Sequence, residues 1–144
     1  MTRARLNQIK LGNTAISNSG TYIQAGTVLT AGTEFTGAQT VLFSTLTDAA
    51  NISVDAAVSN HFRVTLAGNR TLANPTNLRD GGIYNFWIKQ DATGNRTLAY
   101  GSLYKWPGGA PPALTTTANA LDLIIGQYNA TLNILACSIT KDIR

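Results

Sequence analysis

The sequence predicts an all-β sandwich with jelly-roll-like connectivity, preceded by an extended N-terminal arm. Short runs of alternating apolar and polar residues recur at roughly ten-residue spacing, which is typical of sandwiches and barrels. Turn-forming residues separate these runs. The hexapeptide Gly-Asn-Arg-Thr-Leu-Ala occurs twice without change, at residues 68–73 and 94–99, and it combines a turn with the start of a strand.

Six segments carry strand signals, most clearly where apolar and polar residues alternate. One such alternation places Phe62, Val64 and Leu66 on a single face. Trp87 lies opposite the apolar stripe of its own strand, which would fit a strand covered on both faces. In chain order the predicted strands are residues 51–58, 61–66, 83–90, 96–100, 121–127 and 131–139.

The connections are predicted from turn chemistry. Residues 128–130 separate the last two predicted strands and are typical of a hairpin. Residues 106–112 contain three prolines, and proline cannot donate to a central ladder, so this segment is predicted to be a loop. Residues 117–121 are a weak helix candidate, and at most a single turn is expected there.

Low charge is the main feature of the composition. Charged residues make up 12% of the chain, against about 25% in ordinary globular domains, while 44% of the residues are hydrophobic. This balance argues against disorder and fits β-structure that is tightly packed or covered by partners. The net charge of +4 forms no basic stripe interleaved with aromatics, which argues against nucleic-acid binding. No apolar run reaches the roughly 18 residues of a membrane helix, and no secretion signal is predicted.

Residues 1–40 differ in composition from residues 41–144, so the chain is divided there into an arm and a sandwich domain. Small residues recur in the arm with single hydrophobic residues between them, and no helical period survives. We expect the arm to be extended and to bind a neighbouring molecule through main-chain hydrogen bonds. Its candidate contact residues are Arg3, Arg5, Lys10, Tyr22 and Ile23.

The residue types that catalysis needs are scarce. His61 and Cys137 are the single histidine and the single cysteine, too few for a zinc site. Asp80 and Asp91 each precede a glycine-containing turn, where aspartate typically caps the backbone. We therefore predict that the protein is not an enzyme and has no catalytic residues, cofactor or metal. A small hydrolase is kept as an alternative, and it would need His61 close to two acidic residues or in a triad with Cys137 and an aspartate.

Several motifs follow one another in a defined order between residues 62 and 127. They are the two Arg-Thr-Leu segments, Asn74-Pro75-Thr76-Asn77-Leu78, Gly81-Gly82, residues 88–94, Trp106-Pro107-Gly108-Gly109 and residues 116–122. In this combination the segment resembles a module that is widespread in the virion proteins of tailed bacteriophages. The resemblance covers a little under half of the chain and does not include the arm.

The resemblance implies a β-sandwich that commonly assembles as a trimer and brings no catalytic residues. Its family occurs in tail-fibre and spike proteins and in small capsid-decoration proteins. In fibres the module usually follows a long repetitive shaft, which is not found here, and the chain ends shortly after the module. We therefore expect a homotrimeric capsid decoration (cement) protein, made in the host cytoplasm, that bridges subunits of the major capsid protein on the virion surface.

The alternative is a tail-fibre or spike module that binds a host receptor or a surface glycan. Under this alternative, Tyr104 and Trp106 are exposed and form an aromatic platform on which a sugar ring stacks. The opposing interpretation is that Trp106 fills the end of the sandwich beneath Pro107. Both interpretations are compatible with the sequence.

Overall fold

The computed structural model describes residues 8–11, 14–17 and 40–143. Contacts between residues divide the chain into two units, Met1–Gln39 and Thr40–Arg144. Within the described residues, no helix is long and apolar enough to span a membrane.

The first unit contains one described strand pair. Strand β1 (Gln8–Leu11) runs antiparallel to strand β2 (Thr14–Ser17), with Lys10 opposite Ala15. The rest of the predicted extended arm lies outside the described residues, so the arm stays a prediction. Four of its candidate contact residues also lie outside them: Arg3, Arg5, Tyr22 and Ile23.

The described part of the second unit consists of strands and loops. Its predicted proline-rich loop contains a short 3₁₀ turn, Pro107–Gly109, in which Gly108 and Gly109 have φ values of 75° and 83°. The strands are β3 (Ser44–Thr45), β4 (Asn51–Ile52), β5 (His61–Leu66), β6 (Arg70–Leu72), β7 (Ile83–Gln90), β8 (Leu98–Tyr100), β9 (Tyr104–Lys105), β10 (Leu121–Asn129) and β11 (Ile134–Thr140).

The nine strands form two sheets that pack face to face. The larger sheet has the order β3-β5-β7-β10-β11-β9, and the smaller sheet has the order β4-β6-β8. The chain crosses from one sheet to the other between successive strands from β3 to β9. The predicted all-β sandwich is confirmed.

The connectivity differs from that of a jelly roll, which is built from antiparallel strands. In this chain β3, β5 and β7 are parallel to one another, as are β4, β6 and β8. Each crossing to the opposite sheet and back returns the chain in the same direction, so neighbouring strands run parallel. Among the described strands of these two sheets, the two antiparallel pairs are β10 with β7 and β10 with β11.

The hydrophobic core lies between the two sheets. The predicted alternation is confirmed, since the inward-facing side chains of β5 are buried: Phe62, Val64 and Leu66. The rings of Phe62 and Phe86 stack with their centroids 5.3 Å apart, and the smaller sheet contributes the fully buried Leu72. Burying one such side chain stabilises the fold by roughly 1.5–3 kcal/mol.

Three predicted segments have different bounds in the structure. Only the first two residues of segment 51–58 are in a strand, and the strand predicted at 96–100 begins at Leu98. The predicted hairpin turn at 128–130 lies further along the chain, because Tyr128 and Asn129 pair with Leu135 and Ile134 in the β10–β11 ladder. The Asn129 side chain then accepts a hydrogen bond from the Leu132 N–H at 2.9 Å and closes the turn.

Candidate functional site

An open groove lies on the outer face of the larger sheet, with a volume of about 420 Å³. The strand register creates it: Thr45 of β3 lies opposite Arg63 of β5, and Arg63 lies opposite Trp87 of β7. Side chains alternate between the two faces of a strand, so these three point away from the core. The groove is lined by Phe43, Thr45, Arg63, Val64, Thr65, Trp87, Lys89 and Leu121.

Trp87 is the largest side chain of the groove. Its neighbours in β7, Phe86 and Ile88, are buried in the core, whereas Trp87 is half-buried on the opposite face. Within the described residues, its indole ring makes no aromatic contact and its N–H makes no hydrogen bond. The groove therefore offers both an apolar ring face and an unused hydrogen-bond donor.

Arg63 is held in position by two contacts. Its Nε donates a hydrogen bond to the Thr45 hydroxyl at 2.9 Å, and its guanidinium carbon lies 5.7 Å from the centre of the Phe43 ring. That distance is typical of a cation–π interaction. Phe43 in turn packs edge-on against His61, with the ring centroids 5.6 Å apart. These contacts hold the Arg63 side chain against Thr45 and Phe43.

The charged side chains that line the groove are cationic. Arg63 and Lys89 line it, and neither forms an ion pair within the described residues. A concave apolar surface with a few fixed polar groups is the usual form of a small-molecule site. The groove can therefore hold an apolar ring face against Trp87 while polar groups of the same ligand contact Arg63 or Lys89.

The structure contradicts the expected exposure of Tyr104 and Trp106. Their side chains are only 5% and 8% exposed. Trp106 packs against Tyr100 with ring centroids 4.9 Å apart, and the Tyr104 hydroxyl donates to the Ala73 carbonyl at 3.2 Å. Both residues belong to the hydrophobic core, because rings of this size fill the space between the sheets. Burial raises the pKa of Tyr104 and of Tyr100 well above the ordinary value of a tyrosine.

His61 and Cys137 lie on opposite faces of the larger sheet. Cys137 faces the core, where burial raises the pKa of its thiol to about 12 and keeps it protonated at neutral pH. His61 faces outward and contacts the Asn85 amide nitrogen at 3.4 Å through Nδ1. The structure therefore does not bring the two residues of the hydrolase alternative together. The described residues also contain no cluster of His, Cys, Asp and Glu that could hold a metal ion.

Both aspartates that precede glycine turns act as caps, but at different turns. Asp91 Oδ1 accepts hydrogen bonds from the Thr93 and Gly94 N–H groups at 3.0 and 2.9 Å, so its predicted cap is confirmed. Asp80 Oδ1 instead accepts from the Ala130 N–H at 2.9 Å. Asp80 lies beside the β10–β11 turn because the adjacent glycine donates to the Tyr128 carbonyl.

The groove residues were not predicted as a site from the sequence. The available signal was Trp87, a large apolar residue at an outward-facing position of a strand. Its neighbour Arg63 is 24 positions earlier in the sequence. Only the parallel pairing of β5 with β7 places these two residues side by side.

The described residues of the second unit define a class of protein: an all-β sandwich whose larger sheet carries an open groove beside Trp87. Residues 47–129, more than half of the chain, match the family model "Putative phage tail fibre C-terminal domain". The chain belongs to this family, which makes it a structural module of a bacteriophage virion. Neither the curated proteins nor the solved structures contain a significant match.

Proposed function

We propose that this protein is a tail-fibre module that binds a receptor or a carbohydrate on the host surface. The groove between Arg63 and Trp87 is the proposed contact, and the observation that carries the proposal is the half-buried indole of Trp87, which has no aromatic or hydrogen-bond partner within the described residues. Membership of a tail-fibre family supports the location. This order reverses the one derived from the sequence, in which the capsid decoration protein came first.

The proposed role is binding without catalysis. In the described residues, the carboxylates of Asp48 and Asp91 are engaged with Arg70 and Arg96 at 2.6 and 2.8 Å. Such paired and capping groups serve the fold. The proposal includes assembly as a homotrimer, in which neighbouring copies would cover the short edge strands β3 and β9.

A capsid decoration protein is the second candidate, and one observation favours it. The segment before β3 exposes apolar side chains, with Leu42 85% and Phe43 45% exposed. Exposed apolar residues next to a sheet edge are suited to contact a neighbouring subunit. In this candidate the segment would pack against the major capsid protein, and the copies would lie on the head.

Labelling of virions with antibodies against this protein distinguishes the two candidates. Label confined to the tail or its fibres supports the first, and label spread over the head supports the second.

A competition assay tests the groove. The full-length protein is expected to reduce phage adsorption to host cells, and Trp87→Ala should compete at least tenfold more weakly because the stacking surface is lost. Leu132→Ala is the matched control, since Leu132 is an apolar residue 64% exposed in the β10–β11 turn, away from the groove. Equal competition by Trp87→Ala and the unmodified protein, with both folded by circular dichroism, would contradict the proposed contact.

A further inference from the structure

We infer that the ligand of the groove is an acidic saccharide, a sugar that carries a carboxylate. The inference rests on the proposed function and specifies the chemical class of its ligand. Three features of the groove support it: its uncompensated positive charge, the orientation of Arg63 and the apolar face of Trp87.

Within the described residues, the positive charge of the groove has no counter-ion. Arg63 lies directly opposite Trp87 in the sheet, and Lys89 lies two residues beyond Trp87 on the same face of β7. None of the described residues that line the groove is an aspartate or a glutamate. Two neighbouring cations attract an anion, and this attraction depends on salt concentration because both side chains are exposed.

The guanidinium group of Arg63 is paired differently from those of two other arginines. The guanidinium groups of Arg70 and Arg96 are each paired with an aspartate through Nε and Nη2. Arg63 uses only Nε, for Thr45, and its two terminal nitrogens have no acceptor within the described residues. A carboxylate can accept two parallel hydrogen bonds from such a pair of N–H donors.

The aromatic part of the groove selects a ring-shaped ligand over a simple anion. The C–H face of a sugar ring is apolar and packs well on an indole ring, and the Trp87 N–H can donate to a sugar hydroxyl. The groove volume of about 420 Å³ lies within the usual range for small-ligand sites. A carboxylated sugar can pack its ring on Trp87 and place its carboxylate against Arg63 or Lys89. A neutral sugar offers no charge to the two cations.

The test compares each acidic saccharide with a neutral form of the same sugar. Binding of the full-length protein is measured by calorimetry against oligogalacturonate, sialylated oligosaccharides and host-surface polysaccharide, and against their carboxyl-reduced forms. The acidic form of at least one pair should bind tenfold or more tightly, and added salt should reduce the difference.

Matched variants assign the effect to the groove. Arg63→Gln should remove most of the preference for the acidic form, and Trp87→Ala should weaken binding of both forms. Lys105→Gln is the control, because Lys105 is an exposed lysine on the edge strand β9 and does not line the groove. It should bind as the unmodified protein does.

Three outcomes would overturn the inference. Equal binding of the acidic and neutral forms would refute it and leave the proposed function standing. Adsorption that depends on Trp87, without binding to any acidic saccharide, would show that the receptor has another chemistry. Dissociation of an oligomer by Trp87→Ala, seen by analytical ultracentrifugation, would identify the face as an interface between copies.

Discussion

The two copies of Gly-Asn-Arg-Thr-Leu-Ala have one sequence and two structures. In the first copy, residues 68–73, the strand begins at Arg70. In the second copy, residues 94–99, it begins two positions later in the hexapeptide, at Leu98. Gly94 and Asn95 have φ values of 72° and 59° and extend the turn, which delays the strand. Surrounding structure, and not the hexapeptide itself, decides where the turn ends.

The two copies contact each other across the smaller sheet. The Arg70 N–H donates to the Thr97 carbonyl at 2.9 Å, and the Thr97 N–H donates to the Asn69 side-chain oxygen at 3.0 Å. Arg70 lies opposite Leu98 in the ladder, so the copies are staggered by two residues and not aligned. The repeat thus provides two adjacent strands of one sheet, and its residues serve the fold.

The arginines of the two copies bind aspartates at different distances along the chain. Arg70 pairs with Asp48, which precedes β4, and so joins the β3–β4 connection to the start of β6. Arg96 pairs with Asp91, five residues earlier, and closes its own turn. The first copy therefore contributes to the tertiary structure, whereas the second stabilises a local turn.

The largest difference between the copies is expected at their leucines. Leu72 is fully buried, whereas Leu98 is only partly buried against the core. Leu72→Ala should lower the free energy of unfolding by about 3–4 kcal/mol, and Leu98→Ala by about 1 kcal/mol. Urea unfolding of the two variants measures this difference, provided that both retain the same dependence on urea. Equal losses would show that the two leucines are buried alike in solution.

The glycines should show a smaller difference. Gly94 has a left-handed backbone, and a Cβ there would lie 2.6 Å from the Thr116 carbonyl oxygen, so Gly94→Ala should cost roughly 2–3 kcal/mol. At Gly68 the added Cβ would meet the guanidinium group of Arg70, which can shift if its partly exposed pairing with Asp48 is loosened. Gly68→Ala is the matched variant and should cost about 1 kcal/mol or less. Thermal unfolding of both variants measures the two losses of stability. A larger loss for Gly68→Ala than for Gly94→Ala would contradict the prediction.

Alternation along a strand predicted the faces of the strands but not their partners. Phe62, Val64 and Leu66 were assigned to the core because a period of two residues fixes which side chains share a face. Alternation does not predict that the successive strands of each sheet run parallel. The 26-residue spacing of Gly68 and Gly94 is a signal for this arrangement, since such spacing is typical of repeat folds. Spacing alone would still give the wrong register, since the ladder is staggered by two residues.

The groove could not be predicted from the sequence, because it also depends on which strands are neighbours. The aromatic residues near the proline-rich loop predict a candidate ligand platform at Trp106. An exposed aromatic residue and a buried one have the same local sequence, so the sequence does not distinguish them. Trp87 becomes a site residue only when the register places Arg63 beside it and no further layer covers that face within the described residues of the second unit. Information on which strands are neighbours is carried by long-range packing.

The smallest difference between the copies concerns their ion pairs and acid stability. Hydrogen bonds from Arg70 and from Arg96 lower the pKa values of Asp48 and Asp91 below the ordinary value. A carboxyl whose pKa is lower in the folded state stabilises the fold above its unfolded pKa of about 3.9, and this contribution is lost as the pH falls through the folded pKa. Asp48→Asn and Asp91→Asn should therefore lower the melting temperature at pH 7 and change it little at pH 2.

Asp91→Asn should have the smaller effect of the two at neutral pH, because an asparagine oxygen can still accept the Thr93 and Gly94 hydrogen bonds of the turn. Asp48→Asn removes the charge that holds the β3–β4 connection to the start of β6. Both effects stay modest, since these pairs are partly exposed to solvent. Gln127→Lys raises the net charge by the same amount at an exposed residue outside both pairs, and it controls for net charge. A melting temperature that falls equally at pH 7 and pH 2 would attribute the loss to packing and not to ionisation.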